Sequence, residues 1–236
     1  MEQRKLRVYK KTVSIVQETA ISLFEGLARK ADGSIRKCFL LESYDKNYDR
    51  YSFFGIEPEE YITSRENALV IVKKDGSEEV YEGNPLQRLK EYYDSFTVEK
   101  DEGEMRMMGG LIGSLGYDFV RYSEKLPDEN PDEIGIETIQ LFYTKEFIVI
   151  DHLAETMTGV VLEEDTPEGR TRGESKAAAL IEKVREKQTA FQREPKKFVH
   201  DGKIVHKTDD CEQYSAKVEK IKHYIREGHI FQTVLS

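Results

Sequence analysis

The feature that most constrains the fold is a series of short, β-prone apolar segments separated by turn signals. Cys38–Ser43 and Tyr51–Gly55 flank a polar, turn-like segment and predict an antiparallel hairpin. A second hairpin is predicted from Ala68–Lys73 to Glu79–Tyr81, with Asp75-Gly76 as its turn. Strands that do not alternate strictly with helices are typical of α+β proteins with mostly antiparallel sheet, and this is the fold class we expect.

The remaining segments extend this pattern. Tyr61–Ser64 predicts a further strand, Ile139–Ile150 is strongly β-prone, and Thr158–Leu162 is expected to pair with it. Apolar residues at helical spacing predict four helices, over Thr12–Ala28, Pro85–Phe96, Glu174–Ala190 and Asp210–Glu227.

The last helix carries its own start and stop signals. Gln213 follows Asp210 by three residues and completes a capping box, and Gly228 marks the end of the helix. Thr166–Gly173, which separates the strand Thr158–Leu162 from the helix Glu174–Ala190, is expected to be a linker. Ile230–Leu235 is expected to be a strand, and because no turn or cap follows it, we expect the chain to be part of a longer protein.

Composition excludes several classes of function. The chain has 236 residues, a net charge of −9 and no basic stripe, so a nucleic-acid partner is not expected. Its apolar runs are too short to span a membrane, and its basic N-terminus lacks the apolar core of a secretion signal. Cys38 and Cys211 are far apart and lie in no metal-binding motif, which predicts reduced thiols in a cytoplasmic protein.

Two motifs invite a catalytic interpretation that the residue chemistry does not favour. The glycine-rich segment Gly109–Asp118 lacks the spacing and the lysine of phosphate-binding loops, so its glycines are expected to serve bulges or close backbone approach in a sheet. Asp151 and His152 are adjacent on a strand and therefore point to opposite faces, which favours hydrogen-bonded structural roles. The residues predict no catalytic constellation and no metal site.

Five segments taken in order resemble the N-terminal part of anthranilate synthase component I, a chorismate-utilising enzyme. They are Phe39–Ser43, Arg50–Gly55 with Glu57-Pro58, Gly109–Asp118 with Val120–Tyr122, Val149–His152, and Gly228–Ser236. The resemblance covers nearly the whole chain but only about half of the family's length.

The resemblance implies a sandwich of mostly antiparallel β-sheets flanked by helices, truncated before most of the chorismate-binding domain. It implies a lyase that converts chorismate and ammonia to anthranilate and pyruvate with Mg²⁺, in the first step of tryptophan biosynthesis. The ammonia comes from a glutamine amidotransferase subunit, component II. The residues that bind chorismate and Mg²⁺ in the family belong to segments absent from this chain, so no catalytic residue and no metal ligand is expected here, and the fragment is expected to be inactive.

The resemblance also implies a regulatory site for tryptophan at Leu41, Glu42 and Ser43, with Arg50 as a further candidate. A strand end with a hydroxyl and free backbone groups suits the ammonium and carboxylate of an amino acid, and neighbouring apolar side chains suit its indole. By the same resemblance, residues 1–170 form the N-terminal domain, 171–207 a helix and linker, and 208–236 the start of the chorismate-binding domain.

Two alternatives remain open from the sequence. The aminodeoxychorismate synthase component I of folate synthesis shares the fold and the substrate, although the Leu-Leu-Glu-Ser segment favours the tryptophan pathway. A fragment that binds tryptophan or a partner subunit without catalysis is the other.

Overall fold

The computed structural model describes residues 3–15, 19–42, 50–99, 107–127, 131–132, 134–187 and 208–235. The chain divides into two compact units, Met1–Gln192 and Arg193–Ser236. The first unit contains the described strands and most of the helices, whereas the second contains one helix.

The strands, numbered in chain order, are β1 (Arg4–Ser14), β2 (Cys38–Leu41), β3 (Tyr51–Ile56), β4 (Glu60–Arg65), β5 (Ala68–Lys73), β6 (Glu78–Glu82), β7 (Phe96–Glu99), β8 (Gly110–Leu115), β9 (Ile139–Thr144), β10 (Glu146–Asp151) and β11 (Thr156–Glu164). The helices are α1 (Ala20–Ala28), α2 (Pro85–Asp94), α3 (Pro167–Lys187) and α4 (Cys211–Arg226), with a short 3-10 helix at Tyr117–Tyr122.

The strands of the first unit form two sheets. One has the order β2-β3-β10-β11-β1-β7 and the other the order β6-β5-β4-β9-β8. Every pairing is antiparallel except that of β1 with β7, which is parallel. The predicted α+β class with mostly antiparallel sheet is therefore confirmed.

Two hydrophobic clusters hold this unit together. The larger one lies between the sheets, where Val149 and Leu162 of one sheet pack with Ile62 and Leu141 of the other. The second lies on the opposite face of the six-stranded sheet, where α1 and α3 cover residues such as Phe54. Because side chains alternate along a strand, every strand of the six-stranded sheet except β7 contributes to both clusters.

The predicted helix over Thr12–Ala28 is wrong in its first half. Strand β1 occupies Arg4–Ser14, and the helix begins only at Ala20, after Thr19, whose side chain accepts a hydrogen bond from the Ser22 amide. The strand has many charged residues, but Leu6 and Val8 alternate onto its buried face. Pairing with β11 and β7 on both sides outweighs the weak local preference of this basic segment.

The predicted strand over Ile139–Ile150 is two strands in different sheets. The chain leaves the five-stranded sheet after Thr144 and enters the six-stranded sheet at Glu146. Both halves are apolar on both faces, so the residue pattern does not mark the crossing at Lys145. The expected pairing with Thr158–Leu162 is confirmed for β10, which runs antiparallel to β11.

The predicted linker at Thr166–Gly173 is also wrong, because all of these residues after Thr166 form the first turns of α3, which begins at Pro167. The Thr166 hydroxyl accepts a hydrogen bond from the Gly169 amide at 3.0 Å. Gly173 is buried against Tyr9 of β1, so tertiary packing explains a helix where two glycines suggest a break.

In the second unit, α4 begins and ends where the sequence predicts. The side chains of Asp210 and Gln213 each accept a hydrogen bond from the backbone amide of the other residue, and Gly228 has a φ of +77°. None of its residues is buried. The expected strand at Ile230–Leu235 is wrong for this structure, because no described strand pairs with this segment and an unpaired strand lacks its backbone hydrogen bonds.

Candidate functional site

The candidate site lies where β2 ends, at the border of the six-stranded sheet. Strand β2 pairs with β3 on one side, and no described strand pairs with its other side. Among the described residues, the backbone N–H and C=O groups on that outer side therefore have no strand partner.

Leu41 and Glu42 are both solvent-exposed at this border. Leu41 is the last residue of β2, lies opposite Phe53 of β3 and has 44% of its surface exposed. Residues opposite each other in an antiparallel pair share a face, so Leu41 and Phe53 form an apolar patch beside the free backbone edge. Ser43 lies outside the described residues.

Arg50 directly precedes β3 and is held by Asp151 at the end of β10. Its Nη2 donates to Asp151 Oδ2 at 2.6 Å, and its Nε lies 2.8 and 2.9 Å from the two carboxylate oxygens. The guanidinium also stacks 5.1 Å from the centre of the Tyr51 ring. These contacts leave the Nη1 group of Arg50 without a hydrogen-bond partner among the described residues.

Charge pairing controls the ionisation of Asp151. The hydrogen bonds from Arg50 hold the pKa of this carboxyl below its usual range, partial burial opposes them, and the Ala154 and Leu153 amides add to the lowering. Asp151 is thus an anion that orients Arg50 and closes the turn after β10. The sequence did not indicate this partnership, because it depends on the antiparallel pairing of β3 with β10.

His152 has a separate structural contact. Its Nε2 lies 2.7 Å from the hydroxyl of buried Ser52, and its backbone amide donates to the Arg50 carbonyl at 2.9 Å. The structure confirms hydrogen-bonded structural roles for both Asp151 and His152, since each binds a different partner.

The glycine-rich segment also has the structural role that the sequence predicted. It forms β8, which pairs with β9. A Cβ on Gly113 would lie 2.0 Å from the Gln140 carbonyl oxygen, so only glycine allows the two backbones to approach this closely.

Among the described residues, no group of three or more His, Cys, Asp or Glu side chains could hold a metal ion. No helix in the described part of the chain is long and apolar enough to cross a membrane. Cys38 and Cys211 are both free thiols, and burial raises the pKa of the Cys38 thiol.

Comparison with known proteins places this fold in a family. A family model described as "chorismate binding enzyme" matches residues 36–236. Anthranilate synthase component 1 of Acetivibrio thermocellus is 30% identical over 228 residues, which cover 93% of this chain and 45% of that protein. The Aquifex aeolicus protein of the same name is 29% identical over 93% of this chain and 44% of its own length.

A solved structure shares the fold. The crystal structure of anthranilate synthase component I from Streptococcus pneumoniae TIGR4 matches 80% of this chain and 40% of its own chain, with a TM-score of 0.51 and 23% identity. The chain spans a little under half the length of these relatives. Since the family model matches most of the sequence, the chain belongs to the chorismate-binding enzyme family.

Proposed function

We propose that this chain is the N-terminal, regulatory part of an anthranilate synthase component I. The complete enzyme converts chorismate and ammonia, or glutamine as the ammonia source, to anthranilate and pyruvate, in the first step of tryptophan biosynthesis. The observation that carries the proposal is the similarity to anthranilate synthase component 1 along 93% of the chain, together with the family match over residues 36–236.

The catalytic parts of this proposal belong to the complete subunit. Its chorismate-binding residues and its Mg²⁺ ligands lie in segments outside this chain, and a glutamine amidotransferase subunit, component II, delivers the ammonia. The enzyme acts in the cytoplasm. Within this chain, residues 1–170 form the N-terminal domain, 171–207 a helix and linker, and 208–236 the start of the chorismate-binding domain.

The regulatory part of the proposal is a tryptophan site at Leu41, Glu42, Ser43 and Arg50. Three features of the described residues support it. The outer edge of β2, which pairs with no described strand, offers backbone groups to the ammonium and carboxylate of an amino acid. Leu41 and Phe53 offer an apolar surface to an indole. The Nη1 group of Arg50, which has no hydrogen-bond partner among the described residues, offers a further donor to the carboxylate of the ligand.

A hybrid enzyme tests the catalytic part. This chain would replace the matched segment of the Acetivibrio thermocellus relative and be joined to the remainder of that protein. We expect the purified hybrid, supplied with chorismate, Mg²⁺ and ammonia, to release anthranilate, which is measured by its fluorescence. Release of aminodeoxychorismate instead would assign the chain to the folate pathway, and no turnover by a folded hybrid would contradict the proposal.

The variant Ser43→Ala of the same hybrid tests the regulatory part. We expect the tryptophan concentration for half-inhibition to rise at least about tenfold, because losing a hydrogen bond to a charged ligand group costs about 1.5–3 kcal/mol. Uninhibited turnover should remain near that of the unmodified hybrid. Ser77→Ala, in the turn between β5 and β6, is the matched control and should leave inhibition unchanged. Unchanged inhibition in Ser43→Ala would refute the site while leaving the catalytic proposal intact.

A further inference from the structure

A basic cavity of about 290 Å³ lies in the first unit, where β2 begins and β3 ends. Among its described lining residues, the cations outnumber the single anion, and they are Lys30, Arg36, Lys37, Lys73 and Lys74. The whole chain has a net charge of −9, so the charge of this lining is opposite in sign to that of the molecule. A cleft lined mainly by one sign of charge attracts ions of the other sign, and this lining therefore favours an anionic ligand.

Two of the cations have no carboxylate partner in the described part of the chain. Lys30 and Lys37 form no ion pair there, and the Lys37 Nζ instead lies 4.9 Å from the centre of the Tyr61 ring. The carboxylate of Asp32, close to Lys30, accepts hydrogen bonds from the amide and the hydroxyl of Ser34. The ammonium groups of Lys30 and Lys37 are thus available to a ligand in the cavity.

The other two lysines of the cavity are paired only at the protein surface. Lys73 pairs with Glu79 and Lys74 with Glu59, and each of the four side chains is at least 40% exposed. Exposed ion pairs contribute little to stability, so an anion in the cavity can compete with these carboxylates.

Arg36 binds the single anion of the lining, Glu57. Its Nη1 donates to Glu57 Oε1 at 2.7 Å, whereas its Nε and Nη2 groups donate to no described residue. The hydrogen bond from Arg36 lowers the pKa of the Glu57 carboxyl, partial burial opposes it, and the charges of Lys183 and Lys74 add to the lowering. Glu57 is therefore an anion held in a positive field, and a second anion beside Arg36 would compete with it.

The donors that remain indicate the kind of anion. A phosphate monoester carries about two negative charges at neutral pH and three acceptor oxygens, which suit a guanidinium together with two ammonium groups. The uncharged part of the wall consists of Pro58, Tyr61 and Val72, which offer a surface to an organic group.

We propose that this cavity binds a small phosphate monoester, with the phosphate group between Arg36, Lys30 and Lys37. This ligand differs from chorismate, which carries carboxylates, and from an amino acid, whose ammonium would be repelled by the lining. The cavity adjoins Cys38 at the start of β2, whereas the proposed regulatory site lies at Leu41 at its other end, so the two sites are independent.

The first test compares phenyl phosphate with phenyl sulfate at pH 8. Both probes carry a phenyl ring and a tetrahedral oxyanion, but the phosphate has about two negative charges and the sulfate has one. We expect isothermal titration calorimetry on the 236-residue chain to show about tenfold tighter binding of phenyl phosphate. Isophthalate, a dicarboxylate with the same ring, should bind more weakly than phenyl phosphate.

The second test removes charges from the cavity. We expect Lys30→Gln and Lys37→Gln each to weaken phenyl phosphate binding about three- to fivefold, as is usual for exposed charges. The matched control is Lys220→Gln, because Lys220 also lies over a tyrosine ring, that of Tyr224 in α4, but lines no part of the cavity.

The deciding variant is Glu57→Gln, which should strengthen binding of phenyl phosphate about threefold. It removes the competing carboxylate from Arg36, and a gain of affinity is not expected from damage to the fold. Glu78→Gln is its control, because it breaks the exposed Arg65–Glu78 pair, which does not line the cavity, and should leave the affinity unchanged. Circular dichroism checks that each variant is folded.

Three results would overturn the proposal. One is that phenyl phosphate does not bind, or binds no more tightly than phenyl sulfate or isophthalate. Another is that folded Lys30→Gln and Lys37→Gln bind phenyl phosphate as tightly as Lys220→Gln does, which would place the probe elsewhere on the protein. The third is that folded Glu57→Gln binds phenyl phosphate no more tightly than the unmodified chain, which would mean that the anion does not compete for Arg36.

Discussion

Arg50 and Asp151 are 101 positions apart in sequence, yet Arg50 Nη2 lies 2.6 Å from Asp151 Oδ2, where β3 begins and β10 ends. The resemblance suggested Arg50 as a ligand-binding residue, whereas the structure shows that its Nε and Nη2 groups already donate to Asp151. At the residue scale, Arg50 therefore depends on Asp151 for its position.

We expect Asp151→Asn to lower the free energy of unfolding near neutral pH, because the amide cannot replace the charged partner of Arg50. Arg50 holds the folded-state pKa of Asp151 below its unfolded value of about 3.9. The stabilisation is therefore complete above the unfolded pKa and disappears as the pH falls through the folded pKa. Urea unfolding at a series of pH values measures the difference between wild type and variant.

The control for this experiment is Glu82→Gln. Glu82 is an exposed carboxylate at the end of β6 and makes no ion pair among the described residues. It should show little effect at any pH. A difference for Asp151→Asn that persists unchanged in acid would mean that Asp151 acts through the neutral hydrogen bonds of its turn and not through its charge.

At the scale of elements, the packing of α3 against the six-stranded sheet shows why sequence patterns placed its start wrongly. The helix lies on β1 and β11, where it buries Ala177, Ile181 and Val184. Close approach depends on glycine in both partners, since Gly159 of β11 faces the Ala177 carbonyl and Gly173 of the helix faces Tyr9. Read locally, Gly169 and Gly173 suggest a linker, but Gly173 lets the helix approach Tyr9 closely.

We expect Gly159→Ala to destabilise the first unit by about 1–3 kcal/mol, because its new methyl group would lie 2.6 Å from the Ala177 carbonyl oxygen. The matched control is Gly116→Ala, whose methyl group would meet only atoms at 3.5 Å or more. Urea unfolding followed by circular dichroism compares the two. Equal stability of Gly159→Ala and wild type would mean that α3 does not pack this closely on β11.

At the scale of the whole molecule, the described residues contain no group of three or more His, Cys, Asp or Glu side chains that could hold a metal ion. The two sheets enclose an apolar core, and some of the described charged side chains near the ends of the strands form ion pairs, such as Arg50–Asp151 and Arg7–Glu99. The chain also covers only about 45% of the Acetivibrio thermocellus relative.

We therefore expect the 236-residue chain by itself to produce no anthranilate from chorismate, Mg²⁺ and ammonia. The hybrid enzyme described above is the positive control, assayed under the same conditions. Turnover by the isolated chain above the blank would show that this chain carries its own catalytic residues and that the assignment of chemistry to other segments is wrong.

The sequence by itself determined the local structure where short-range physics dominates. The hairpin at Asp75-Gly76, the caps at Asp210 and Gly228 and the α+β class follow from turn chemistry, capping and alternation, all of which act within a few residues. The family resemblance also required only the order of motifs along the chain.

Only the tertiary structure decided the features that depend on distant pairings. Strand β1 exists because β11 and β7 pair with it, and the β-prone run at residues 139–150 divides between two sheets because each half finds a different neighbour. The Arg50–Asp151 pair likewise joins the start of β3 to the end of β10. A local pattern cannot indicate such contacts, because their free energy comes from partners far away in sequence.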